Sequence, residues 1–350
     1  MIEIKSRFKT YTVDFIDTLD MIKSLAKQPD TYFVIDKAVA ELYKKDFLDI
    51  PNERLFLLNA VETAKNMQSV MDICEKMTSM PAKRNTHLVS IGGGIVQDVT
   101  GFVASSLYRG IKWTFFPSTL LASCDSCIGG KSSLNYKGFK NLIGSFYPPD
   151  AILIYPQFFK TLHPRDYSSG LGEVVKFNII AGQNGLGKIE KDIDSLLAHD
   201  YTKLAEYIKT SLNFKKKFIE EDEFDKGIRV LLNFAHTFGH SYEVVSNYAI
   251  PHGSAVALGM ITANNISVQR GYMQKSYAER IEKICHKILT YVEIKKEWFT
   301  LADILKAIHK DKKQTSVAIT AVLIKKDYTL GVFHDIKESE INAAVKHLFA

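Results

Sequence analysis

The sequence predicts two domains in one chain of 350 residues: an N-terminal α/β domain built on a parallel sheet, residues 1–157, and a mostly α-helical domain, residues 158–350. Three observations carry this. The length exceeds one ordinary hydrophobic core and suits two. Up to about residue 157, short apolar runs rich in β-branched and aromatic residues alternate with segments of helical spacing. Such alternation favours a parallel sheet covered by helices on both faces. Beyond residue 158 most segments have helical periodicity.

In order, the first buried strand is read at 31–35 and ends at Asp36; a second follows at 54–58. Residues 62–77 carry apolar positions at helical spacing. A third strand, 87–91, runs straight into Gly92-Gly93-Gly94. Further strands are read at 113–117, closed by Ser118-Thr119, and at 151–154. Helices are predicted over 168–182, 184–197, 201–221, 227–246, 252–271, 276–290 and 300–309. A small hairpin, 317–324 with 328–333, and a terminal helix, 337–349, complete the chain. There is no repeat, low-complexity segment or long linker. A substrate cleft is expected between the halves, where ligand sites often form.

Hydrophobic residues at 46% and charged residues at 24% are those of a soluble globular protein. No apolar run approaches the roughly 20 residues of a membrane span, and the N-terminus has no signal-peptide pattern. A cytoplasmic location without membrane contact is therefore expected. Lys plus Arg exceeds Asp plus Glu by six, 45 against 39, which favours anionic substrates. It does not demand nucleic acid, which would need a basic stripe or a recognisable module. Lys215-Lys216-Lys217 is followed at once by Glu220-Glu221-Asp222-Glu223, so its field is largely cancelled. Cys124 and Cys127 form a C-x-x-C without the second pair that a structural zinc site wants. They read as small thiols packing a loop in a reducing compartment.

The glycine turn at 92–94 lets backbone N–H groups approach a pyrophosphate at a helix N-terminus, although it is not the G-x-G-x-x-G fingerprint. Three histidines, His236, His240 and His252, lie close together among glycines and small residues. His236 and His240 are four apart and share a helix face. Thr237 occupies the place of a protease glutamate, so both need not be ligands. The grouping points to a metal site. The segment 125–141 holds Asp125, Lys131, Asn135, Lys137, Lys140 and Asn141 around Gly129-Gly130. Lysine and asparagine there supply donors to phosphate oxygens.

Taken together, the blocks 92–110, 117–147, 169–176 and 229–260, in this order, resemble the 3-dehydroquinate synthase family of sugar-phosphate cyclases. The resemblance extends from about residue 36 to 313. It implies a Rossmann-like NAD-binding domain and a mostly helical metal- and substrate-binding domain. It also implies NAD as a recycled cofactor, zinc (or cobalt) as the divalent metal, and a homodimer. Glu173, His236 and His252 match the metal ligands. Asp36, Glu62, Lys65, Gly93, Gly94, Asp98, Ser118, Thr119, Thr161 and Leu162 match positions that hold NAD, and Lys140 matches one near the nucleotide. Asp125, Lys131 and Asn141 match the substrate region. Lys176, Lys215, Arg229, Asn233, His240 and Lys312 match further substrate positions, with the short stretch Asp311-Lys312-Lys313 leaving Lys313 as an alternative. Arg109 resembles an arginine that reaches the neighbouring subunit's phosphate site.

The implied reaction converts 3-deoxy-D-arabino-heptulosonate 7-phosphate to 3-dehydroquinate and phosphate, a step of aromatic amino-acid biosynthesis by the shikimate pathway. Transient oxidation by NAD acidifies a neighbouring C–H, phosphate leaves, hydride returns, and an intramolecular aldol step closes the ring. Lys131, Asn141 and His240 would hold phosphate; Arg229 and Lys215 would hold the carboxylate. The sequence departs from the family at Gln97, Cys127, Ser132-Ser133, Phe139, Asp166, Ala235 and Ser254. These departures suggest a divergent member, so a cyclase for another sugar phosphate stands as the alternative. A metal-dependent alcohol or glycerol dehydrogenase of the same wider fold is a third reading. It would not need Lys131 and Asn141.

Overall fold

The computed structural model describes residues 1–80, 83–137, 139–310 and 318–350. It divides into two compact units, Met1–Leu162 and His163–Ala350.

The first unit contains β1 (Ile2–Lys5), β2 (Thr10–Phe15), α1 (Asp20–Ala26), β3 (Thr31–Asp36), α2 (Lys37–Leu42), β4 (Leu55–Leu58), α3 (Met67–Ser79), β5 (His87–Gly92), α4 (Gly94–Ser106), β6 (Lys112–Pro117), β7 (Lys131–Tyr136), β8 (Phe139–Phe146) and β9 (Ala151–Ile154). Seven strands form one sheet in the order β1-β2-β9-β6-β5-β3-β4. All neighbours are parallel except β1 and β2. Every residue of β5 is buried, as are Thr31 to Ile35 of β3, so continuous apolar runs are what a sheet covered on both faces requires. From β3 the chain adds β4 on one side, then returns to place β5 on the other. The carboxyl ends of β3 and β5 therefore flank a topological switch point, where ligands of open α/β sheets bind.

The antiparallel edge was not legible. In β1 only Ile2 and Ile4 face inward, too short an alternation to stand out. The donor-bearing segment 125–141, for which no strand was predicted, contributes with 142–146 to the hairpin β7–β8, which among the described residues is a sheet of its own. The predicted helix at 62–77 begins at Met67, because the Asn66 side chain accepts the Ser69 N–H at 3.0 Å and caps α3 there.

The second unit contains α5 (Pro164–Ile180), α6 (Gln183–Leu197), α7 (Tyr201–Glu221), α8 (His236–Val245), α9 (His252–Gln269), α10 (Lys275–Ile288), α11 (Leu301–Lys310), the hairpin β10 (Ile319–Ile324) and β11 (Leu330–Ile336), and α12 (Glu338–His347). Helix α9 is buried nearly all round, with α5, α8, α10 and α12 packed against it. No helix among the described residues is long and apolar enough to cross a membrane.

The expected continuous helix at 227–246 is broken. Asp222 accepts the N–H groups of Lys226, Gly227 and Arg229 at 2.7–3.1 Å. That cradle holds the backbone in a 3-10 turn, Ile228–Asn233, and α8 starts only after Ala235, a left-handed residue at φ 70°.

Candidate active site

Three helices of the second unit bring Glu173, His236 and His252 together. Glu173 lies in the middle of α5, where every residue from Tyr167 to Ile180 is buried, and is itself 0% exposed. An ionised carboxylate in such a place costs several kcal/mol unless it is paired. The Lys176 ammonium, one turn on, lies 2.6 Å from Oε2. The other oxygen, Oε1, lies 3.4 Å from His236 Nε2 and 3.3 Å from His252 Nε2. Lys176 also donates to the Leu232 carbonyl at 3.3 Å, tying α5 to the turn that carries Arg229.

Helix starts aim the two imidazoles. The left-handed Ala235 turns the chain so that α8 begins on His236, whose Nδ1 lies 3.0 Å from the Phe234 carbonyl. A carbonyl only accepts, so Nδ1 carries a proton and Nε2, facing Glu173, is the nitrogen left to bind a cation. His252 opens α9 behind Pro251, and its Nδ1 lies 3.1 Å from Glu243 Oε2. Enclosure disfavours charge on His252, but the Glu243 and Glu173 carboxylates outweigh it and raise its pKa to about 10. The pocket is thus electrostatically set to hold positive charge.

Close crossing of α5 and α9 makes this geometry possible. A Cβ on Gly172 would lie 2.1 Å from the Gly253 carbonyl oxygen, and one on Gly253 would lie 1.7 Å from that of Ser169. The Gly253 N–H is held by the Ser169 hydroxyl at 3.0 Å. No side chain larger than hydrogen fits at either glycine.

The donor set suits a divalent cation. Glu173, His236 and His252 each offer one ligand atom, all within 4.8 Å of one another. A regular tetrahedron with zinc–ligand bonds near 2.05 Å has edges of about 3.3 Å, which is the separation of Glu173 Oε1 from both Nε2 atoms. His240 flanks the cluster, its ring centroid 5.2 Å from that of His236 and 5.8 Å from that of His252.

The other sequence-predicted residues of this unit are less concentrated. Lys215 on α7 and Arg229 are buried, and Arg229 Nη1 donates to the Glu223 carbonyl at 2.6 Å. Asn233 ends the 3-10 turn, half-buried. Lys312, with its alternative Lys313, lies outside the described residues.

In the first unit the predicted nucleotide residues gather at the switch point. Asp36 ends β3 and caps α2, accepting the Ala38 N–H at 2.9 Å, and burial pushes its carboxyl pKa up. Gly93 caps α4, which Gly94 opens. The Ser118 N–H donates to the Gly92 carbonyl at 2.8 Å, and a Cβ at Gly93 would meet Thr119 Cγ2 at 2.9 Å. Thr161 Oγ1 lies 3.3 Å from the Tyr43 hydroxyl, and Leu162 closes the unit.

A second polar group runs through the β7–β8 hairpin. Burial raises the Asp98 carboxyl pKa, against the Lys65 ammonium in contact with it. Asp98 accepts the Ser133 N–H at 3.0 Å and lies 3.2 Å from the Ser133 hydroxyl. Lys65 Nζ also reaches Asn141 Oδ1 at 2.6 Å. Lys140 lies 3.6 Å from Glu62, which accepts from Asn135 at 2.8 Å. Lys131 opens β7 with its ammonium 5.9 Å from the centre of the Phe146 ring. Asp125 sits in a π-turn, Ala122–Ser126, between Cys124 and Cys127, which are buried and not joined in a disulfide. Arg109 is exposed in the left-handed turn after α4.

Sequence reading assigned no site role to three residues in these networks, two of which, Gln97 and Ser133, it named only as departures from the family. Ser133 joins Asp98 to Asn141, its hydroxyl 2.9 Å from the amide oxygen. Gln97 exchanges two 2.7 Å hydrogen bonds with Ser126 and locks the turn that carries Asp125. Glu243 follows His240 by three residues and shares its helix face, a spacing that could have revealed it.

The whole chain has close counterparts. A family model described as 3-dehydroquinate synthase N-terminal matches residues 55–169, and one described as 3-dehydroquinate synthase C-terminal matches residues 170–314. A 3-dehydroquinate synthase of Dictyoglomus turgidum is 36% identical over 321 residues, covering 91% of this chain and 89% of the relative. One of Clostridium tetani is 34% identical over 351 residues, covering 99% and 93%. Among solved structures, the 2-epi-5-epi-valiolone synthase of Streptomyces hygroscopicus with NAD+ and Zn2+ bound superimposes with a TM-score of 0.86 at 22% identity, covering 97% and 96%. A 2-deoxy-scyllo-inosose synthase complexed with carbaglucose-6-phosphate, NAD+ and Co2+ gives 0.85 at 22% identity, covering 99% of both chains. At that identity these two speak for the fold alone, which is that of the sugar-phosphate cyclases.

Proposed function

The chain belongs to the 3-dehydroquinate synthase family, and from that premise we propose that it converts 3-deoxy-D-arabino-heptulosonate 7-phosphate to 3-dehydroquinate and phosphate, as a carbon–oxygen lyase. The observation that carries the reading is the single oxygen of Glu173 shared at 3.3 and 3.4 Å by two imidazole Nε2 atoms. A divalent cation held by Glu173, His236 and His252 would supply Lewis acidity at the substrate's hydroxyl oxygens. NAD, held by the residues around Asp36, Gly93, Gly94, Ser118 and Thr119 with Asp98 and Lys65, would supply reversible hydride acceptance. The cation and dinucleotide named with the solved cyclases support this assignment.

The chain's own residues do the rest. Lys176 neutralises one oxygen of Glu173 and so keeps the carboxylate ionised with its other oxygen toward the histidines. Arg229, held by the Glu223 carbonyl, presents a planar fork suited to a substrate carboxylate, and Lys215 adds charge. In the first unit Lys131 and Asn141 would offer donors to phosphate and Asp125 a further polar group; in the second His240 and Asn233 would do the same, and the family resemblance adds Lys312. The π-turn latched by Gln97 fixes Asp125. In the same reading the protein is a cytoplasmic homodimer, and the exposed Arg109 serves the neighbouring subunit's phosphate. A sister cyclase acting on a substrate without a carboxylate is the alternative; buried Arg229 and Lys215 weigh against it.

The test is phosphate release from the heptulosonate phosphate with catalytic NAD and added zinc, while absorbance is followed for NADH. Phosphate without net NADH is the expected result. No phosphate, from protein that binds both NAD and metal, moves the assignment to another cyclase or to a dehydrogenase.

A further inference from the structure

We infer that Glu243 is the positioning residue that fixes His252 as a metal ligand, an inference that rests on the metal reading above. Glu243 lies on α8, one helix turn after His240, and reaches across to the first residue of α9. Its Oε2 is 3.1 Å from His252 Nδ1, while the opposite ring nitrogen, Nε2, is 3.3 Å from Glu173 Oε1. A carboxylate can only accept, so it holds the proton on Nδ1. When a cation displaces the proton on Nε2, the ring is neutral and its Nε2 lone pair is aimed at the cation position.

Two features show why a carboxylate serves here. His236 is fixed by the carbonyl of Phe234, two residues before it. His252 Nδ1 is met instead by a side chain of another helix, Glu243, so its tautomer is set across the contact of α8 with α9. His252 also sits at the positive end of the α9 dipole, which weakens an imidazole as an electron-pair donor. The negative charge of Glu243 offsets that and raises the basicity of the ligand, as carboxylate partners of metal-bound histidines do.

Glu243 also belongs to a rival set, because His240, Glu243 and His252 offer ligand atoms within 4.8 Å of one another. The geometry disfavours it as a ligand. The 3.1 Å separation is that of an N–H···O hydrogen bond, and a cation in that set would have to displace the Nδ1 proton.

The experiment is a chelator-competition titration with Co2+ of the full chain, recording the visible spectrum and the unfolding temperature of the metal-free protein. Wild type, Glu243→Gln, Glu243→Ala, His252→Ala and His236→Ala are compared. Glu243→Ala is expected to weaken Co2+ binding by about 10- to 100-fold. Glu243→Gln keeps an acceptor for Nδ1–H, so its loss is smaller and its spectrum resembles that of wild type. Unchanged affinity and spectrum in both Glu243 variants would leave only a structural role and overturn the inference. Loss of binding in both as complete as in His252→Ala, with binding retained in His236→Ala, would make Glu243 a ligand and overturn it too. Wild-type protein that binds no Co2+ would sink the metal reading itself, a result distinct from either.

Discussion

The two polar clusters solve the same problem, a buried carboxylate, in opposite ways. In the first unit Asp98 is satisfied locally, by the Lys65 ammonium and by the backbone and hydroxyl of Ser133. The group is built on α4, the turn before α3 and the β7–β8 hairpin. In the second unit Glu173 is split: one oxygen goes to Lys176, the other to two imidazoles that carry charge only when protonated. The first arrangement is complete without a ligand. The second becomes complete when a cation replaces the protons. Self-satisfied networks shape a pocket, whereas convergent donors around a shared oxygen create affinity.

Removing a convergent donor should have the largest effect. His252→Ala is expected to abolish bound metal and turnover together, read by metal analysis beside the phosphate-release assay. Full metal occupancy in that variant would break the contrast, because another residue would then be the ligand. Next in size is the removal of each ammonium. Lys176→Met should destabilise the metal-free protein by about 3–5 kcal/mol, the cost of breaking a buried pair, with much of it restored by zinc. Lys65→Met should cost less, about 1–3 kcal/mol, and zinc should restore none of it. Equal losses, or equal rescue, in denaturant titrations would erase the distinction between the clusters.

A third prediction concerns the first unit alone. Burial lowers the pKa of His87 from 6.5 to about 4, the ring being held neutral against Thr114. The unfolded chain binds the extra proton between these values, so stability is full above pH 6.5 and is lost as pH falls toward 4. The loss approaches about 3 kcal/mol. His87→Leu should flatten that acid limb in a pH series of unfolding curves, and an unchanged slope would place the acid sensitivity elsewhere. The smallest effect is expected at Ala235, whose left-handed backbone suits glycine better than alanine. Ala235→Gly should stabilise the second unit by up to about 1 kcal/mol, measured as a small rise in unfolding temperature.

The central strands were legible because burial on both faces leaves continuous apolar runs, as in β3 and β5. Long helices such as α7 were legible from the helical spacing of their apolar residues. The break before α8 was not. It depends on three backbone N–H groups converging on Asp222, an arrangement no hydrophobic period records. Of the candidate site, the histidines stood out by grouping and Glu173 only through the family resemblance, since one glutamate in a helix is unremarked without its partners. The roles of Glu243 and Ser133 escaped because they lie in what these residues touch across elements. Gln97 was noticed as a departure from the family, and its hydrogen bonds to Ser126 give that departure a purpose.

The contact between Gly172 and Gly253 has a consequence for how this chemistry can vary. Each residue of an α-helix is rotated by about 100° from the next. A slip of one position along α5 or α9 would swing Glu173 or His252 out of reach of the other. Side chains interlocked at ordinary distance could accommodate such a slip by repacking. Two backbones in direct contact cannot, so the crossing acts as a gauge block. The metal-ligand spacing is set by main-chain register, and substrate preference is free to drift at the surrounding residues without disturbing it.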